Sequence, residues 1–220
     1  MCTKWVAWLA VGGDLRFLSH QETVRLLARA AARAHVNLKY SQGFNPKCKL
    51  SLPLPRPVGV ASDCEPLLIE LAEPASRDWA DALAGQLPDY VRLRCVEPVA
   101  TGRHLRVSAA HYEMDLSKDD CPVVRNRLEE LNRADTWPVP RRVKGPRRGK
   151  DASFDVKEHI DRLELHGQVL RFALPVRNGP GGRCADVARL LGMAPPDSDA
   201  AGASEPLARI RRTAVDYRIE

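Results

Sequence analysis

From Lys4 to Val96 the chain alternates strand-length apolar runs with two helical patterns, in a βαβ-βαβ-like order that has three strands between the helices. Few arrangements satisfy that order. Lys4–Val11 (KWVAWLAV) is apolar after its first residue, which predicts a strand central in a sheet, ended by Gly12 and Gly13. From Ser19 or His20 to about His35 the period becomes helical. Val24, Leu27, Ala31 and Ala34 make the buried stripe, and Arg25, Arg29 and Arg33 fall one turn apart on roughly the opposite face. Nothing on that helix is expected to neutralise the arginine row. Asn37–Tyr40 and Lys49–Leu54 predict two short strands joined by SQGFNPKC, in which Gly43 permits a positive φ and Asn45-Pro46 favours a turn. Pro53, Pro55 and Pro57 keep the next stretch extended, at an edge or in a loop. Strand Pro66–Ala72, helix Ser76–Leu87 and strand Tyr90–Val96 complete the set.

That order suggests a ferredoxin-like sandwich, an antiparallel sheet with helices on one face. Val99–Arg106 reads as a linker, and the remainder follows the same pattern with additions. His111–Leu116 predicts a strand, Asp119–Arg133 a helix and Trp137–Val143 a strand. Ile160–Leu165 and Gln168–Pro175 form a hairpin turning at His166-Gly167. Cys184–Leu191 reads as a helix, Ala194–Pro206 as a mobile loop and Arg209–Ile219 as a final strand. No residue-level repeat links the halves. Element order alone therefore predicts an α+β protein of two tandem ferredoxin-like sandwiches, residues 1–99 and 107–220.

Charge is distributed less evenly than composition suggests. The net charge of +6 on 220 residues is moderate, yet no acid lies between Thr23 and Ser62, where Arg25, Arg29, Arg33, Lys39, Lys47, Lys49 and Arg56 all fall. Such one-sided charge attracts polyanions, because each base placed near a phosphate releases condensed counterions; a solvated face is the plainer reading. Pro138–Lys150 (PVPRRVKGPRRGK) is a second acid-free basic run, suited to a mobile loop or a phosphate clamp.

Several chemistries are disfavoured. Six scattered cysteines show no CxxC, no CxxxCxxC and no Cys/His quartet, so no metal, cluster or other cofactor is expected. Neither a GxGxxG nor a GxxxxGK[ST] spacing is present. The short apolar run near the N-terminus is neither a bilayer span nor a signal peptide, and free thiols fit a reducing cytoplasm. Arg177–Arg183 (RNGPGGR) resembles a phosphate-cradling turn before a helix, or an ordinary connection. Tyr40 and Phe44, flanked by Lys39, Lys47 and Lys49 and followed by Asn45, are suited to stacking unpaired bases while the lysines hold phosphates. The rival reading places both rings in the core. A catalytic alternative joins His20, Tyr40 and Lys47 as base, acid and electrostatic stabiliser of RNA cleavage, against the plainer reading that His20 caps or precedes its helix and bonds backbone.

Phe17, Ser19, His20, Arg25, Arg29 and the string from Tyr40 to Glu65, with Ser41, Gly43, Phe44, Asn45, Pro46, Ser51, Pro55, Gly59 and Ser62, carry a resemblance. In them the chain resembles an uncharacterised radical SAM-linked domain, found alone or as the C-terminal part of cobalamin-binding radical S-adenosylmethionine proteins. A weaker match runs from DVKEHIDRLEL to RRTAVDY. The resemblance implies an accessory to RNA modification, with RNA and a separate radical SAM protein as partners. Three functions are therefore expected in order: a noncatalytic RNA-binding module in rRNA or tRNA modification, a metal-independent RNA-processing enzyme using His20, and a protein–protein adaptor.

Overall fold

The computed structural model describes residues 2–142, 151–194 and 204–220. The protein is a mixed α and β chain that separates into two compact units, residues 1–107 with 214–220 and residues 108–213.

The first unit is built on β1 (Cys2–Val11), which pairs antiparallel with both β3 (Ala61–Ala75) and β4 (Val91–Val99). A short β2 (Leu50–Ser51) pairs with β3, so the strands run β4-β1-β3-β2. The continuous hydrophobicity of β1 follows from this central place. Trp5, Ala7, Leu9 and Val11 join one buried cluster, while Val6 and Trp8 face another with Val99. The first cluster also takes Leu27, Ala30 and Ala31 from helix α1 (His20–Arg33) and Ala80 and Leu83 from helix α2 (Trp79–Ala84).

Ser19 caps α1 in a reciprocal box with Glu22, whose backbone N–H donates to the serine hydroxyl while the Glu22 carboxylate accepts from the Ser19 N–H at 2.9 Å. The serine bonds, first, hold the Glu22 carboxyl below its ordinary pKa. The buried residues of α1 are Thr23, Leu27, Ala30 and Ala31. Val24 and Ala34 are only partly buried but still pack against the core, so the apolar face keeps Leu27 and Ala31 and shifts only slightly, toward Thr23 and Ala30, from the stripe read in the sequence.

In the second unit the strand order is β10-β5-β9-β8, from β5 (Leu105–Asp115), β8 (Asp161–His166), β9 (Val169–Pro175) and β10 (Ile210–Ile219). The chain passes between units within β5 and β10. Helices α3 (Asp120–Arg133) and α4 (Cys184–Leu190) lie close to their sequence-predicted spans. Three elements differ, the first being β5, which begins at Leu105 inside the expected Val99–Arg106 linker rather than at His111. β6 (Pro138–Arg142) has an antiparallel partner, β7 (Asp151–Asp155), that was not predicted from the sequence: Ala152 and Phe154 alternate with polar residues in DASFD, but two apolar positions in five residues are a short signal. Residues Ser204–Ala208 form a short helix, α5, where a loop was expected. Residues 143–150 of the basic run and 195–203 of the expected loop lie outside the described residues.

Candidate nucleic-acid interface

The region from Asn37 to Leu54 was expected to be two strands joined by a turn, but the second strand ends at Ser51. Both flanks instead run along the same edge of β3. The Ala72 N–H donates to Asn37 O, the Lys39 N–H to Glu70 O, and the Glu70 N–H to Lys49 O. Between these flanks residues 40–48 leave the sheet as a closed loop. Its stem is tied by Lys49 N–H to Lys39 O at 2.7 Å and by a Tyr40–Cys48 bridge. Above these, the Ser41 N–H donates to Lys47 O and the Lys47 N–H to Ser41 Oγ at 2.9 Å. Gly43, at φ 133°, turns the tip through a conformation that side chains rarely adopt.

The tip is polar in backbone and aromatic in display. Phe44 is fully exposed (107%) and Tyr40 is half exposed (52%), so neither belongs to the core. Asn45 and Lys47 are exposed beside them. Large apolar side chains standing alone at a loop tip carry a hydration cost in the free protein that a flat partner would relieve.

The free basic surface expected across this region is smaller in three places, two of them paired with an acid and one held by neutral oxygens. Lys39 Nζ and Lys49 Nζ both reach Glu70, the first in a close hydrogen bond to Oε1 and the second 3.3 Å from Oε2. The Lys39 bond is the larger cause holding the Glu70 carboxyl below its ordinary pKa, with Lys49 adding to it against partial burial. A stretch without acids in sequence therefore has an acid in space. Arg56 is not a surface base at all. It is 7% exposed, donates to the carbonyls of Arg16 (2.6 Å) and Val60 (2.7 Å), and lies 3.8 Å from the fully buried Glu65 carboxylate. Arg33 donates to Gln86 O at 2.8 Å and to its amide oxygen at 3.3 Å.

Arg25 and Arg29 remain exposed on α1. Glu22, one turn before Arg25, feels its charge, so the helix does supply one acid to the row. His20 is the first residue of α1 and is exposed, but the cap is Ser19, which corrects the capping reading of His20. No described contact joins His20 to Tyr40 or Lys47.

The Arg177–Arg183 segment is not an open phosphate cradle. The Arg183 N–H donates to Asp186 Oδ2 at 2.9 Å, and Arg141 binds the same buried carboxylate and Gly181 O. The anion place is taken by the protein's own Asp186. Among the described residues no group of three His, Cys, Asp or Glu is arranged to hold a metal ion, and no helix is long and apolar enough to cross a membrane. The Cys184 thiol is pushed up to about 12 by complete burial.

The first unit thus presents a rigidly stemmed loop with a basic, aromatic tip on a mixed α and β scaffold. The family described as "Uncharacterized protein conserved in bacteria (DUF2344)" matches residues 4–183, and the chain belongs to that family. The search of the curated proteins gives no match. Among solved structures, the crystal structure of an unknown protein from Galdieria sulphuraria aligns over 100% of this chain and 99% of that one. Its identity is 12% and its TM-score 0.23, too loose a superposition to carry a structural argument.

Proposed function

We propose that the protein is a noncatalytic RNA-binding module whose Tyr40–Lys49 loop stacks unpaired bases, acting as accessory to a separate radical SAM enzyme in RNA modification. One observation carries the RNA reading: Phe44 stands fully exposed at the tip of a stemmed loop, with Tyr40 and Lys47 exposed on its flanks. Aromatic faces with neighbouring cations bind single strands with little sequence preference, because every base has a π face. The radical SAM partnership rests on the sequence resemblance alone. The catalytic alternative is less favoured, since His20 has no described partner to orient it.

The scaffold reading that goes with this is a tandem of ferredoxin-like sandwiches. The order β4-β1-β3-β2 of the first unit and β10-β5-β9-β8 of the second support it. Both put the first strand of a unit between its last strand and the later strand of its hairpin.

The test is a fluorescence-anisotropy titration of a labelled single-stranded RNA over a range of salt. Binding that weakens linearly in log–log form supports the reading, and absence of binding at low salt would sink it. Replacing Arg25 and Arg29 with glutamine should flatten the slope by about 1.4, at ~0.7 per single-strand phosphate contact. Adding Arg33→Gln should flatten it no further, because Gln86 already holds that guanidinium. A third equal step would contradict this placement.

A further inference from the structure

The RNA reading leaves Glu70 without a role, and its position gives it one. Lys39 and Lys49 close the stem of the loop from opposite sides, and each directs its ammonium at a different oxygen of the same carboxylate. Glu70 lies on β3, fixed by backbone bonds to both lysine residues, so the carboxylate cannot drift away from them. All three side chains keep partial solvent exposure, at 47%, 43% and 26%. A phosphate could therefore reach the same ammonium groups from solvent. Two cations and one anion leave the stem with a single net positive charge, although the sequence supplies two bases there.

We propose that Glu70 competes with the phosphodiester backbone of single-stranded RNA for Lys39 and Lys49, and so sets the affinity of the loop. The inference rests on the RNA-binding reading above. With Glu70 in place the stem attracts one phosphate. Without its charge the stem attracts two. The carboxylate also holds both ammonium groups at the stem in the free protein, so the stem is ordered before RNA arrives.

The experiment is anisotropy titration of a fluorescein-labelled oligouridylate against wild type, Glu70→Gln and Glu70→Gln/Lys39→Gln. One additional single-strand contact steepens the salt slope by ~0.7 and tightens binding about fivefold at 0.1 M salt. Glu70→Gln should show both changes, and the double variant should return to wild-type affinity. Wild type that binds while Glu70→Gln binds no tighter, with a normal melting transition, overturns the inference and leaves the RNA reading standing. Wild type that does not bind overturns both. If Glu70→Gln fails to fold, carbon-13 spectra of the wild-type carboxyl groups decide the matter. A Glu70 resonance that moves as oligouridylate is added supports competition, and one that stays fixed through saturation overturns it.

Discussion

Arg56→Met is expected to lower stability by about 3–5 kcal/mol, the cost of leaving a buried charge without its partner. The Glu65 carboxylate, at 0% exposure, would lose the guanidinium 3.8 Å away, the Val60 carbonyl would lose the Arg56 donor, and the Arg16 carbonyl would keep only the Gly59 N–H. Those carbonyls tie the Gly13–Phe17 turn to the proline-rich segment after β2, so the loss would loosen both together. Urea melts of the single variant and of Arg56→Met/Glu65→Leu check the account. Removing both charges should restore most of the stability, since a buried pair is often replaceable by apolar groups of similar volume. A single variant within about 1 kcal/mol of wild type, the range typical of a surface pair, would contradict the buried-pair reading.

Phe44→Ala is expected to weaken RNA binding by about 1–3 kcal/mol, the value of one base–aromatic stack. Stability should change by less than about 0.5 kcal/mol, as for surface substitutions generally. The asymmetry follows from exposure: at 107% the ring has no packing to lose in the free protein. A core phenylalanine would instead cost ~3–5 kcal/mol of stability when truncated. Binding and thermal melting measured on one variant therefore separate the two. Unchanged affinity in a folded variant would remove Phe44 from the site.

The strands and helices that carry a periodic apolar pattern were legible in the sequence. β1 ends at Val11, as the paired glycines indicate, and α1 begins after Ser19, where the serine and Glu22 spell a capping box. The loop was legible as a loop, because Gly43, Asn45 and Pro46 cannot continue a strand. What was not legible is register. Lys39 and Lys49 read as free bases until β3 pairing sets Glu70 between them, and only the third dimension supplies that acid. Arg56 was misread for the same reason. Its one local signal is that it is an isolated charge between Pro55 and Pro57 in an apolar stretch, a pattern of a buried base as much as of a basic surface. β7 escaped because its alternation is only Ala152 and Phe154 in five residues, too short a pattern to stand out.

Ultraviolet crosslinking of a 4-thiouridine-substituted single-stranded RNA to the protein, followed by peptide mass spectrometry, tests the central claim most directly. Crosslinked peptides should come from Tyr40–Lys49, with Phe44 or Tyr40 as the modified residue. Crosslinks confined to residues 108–213, or spread evenly over every exposed base, would contradict it.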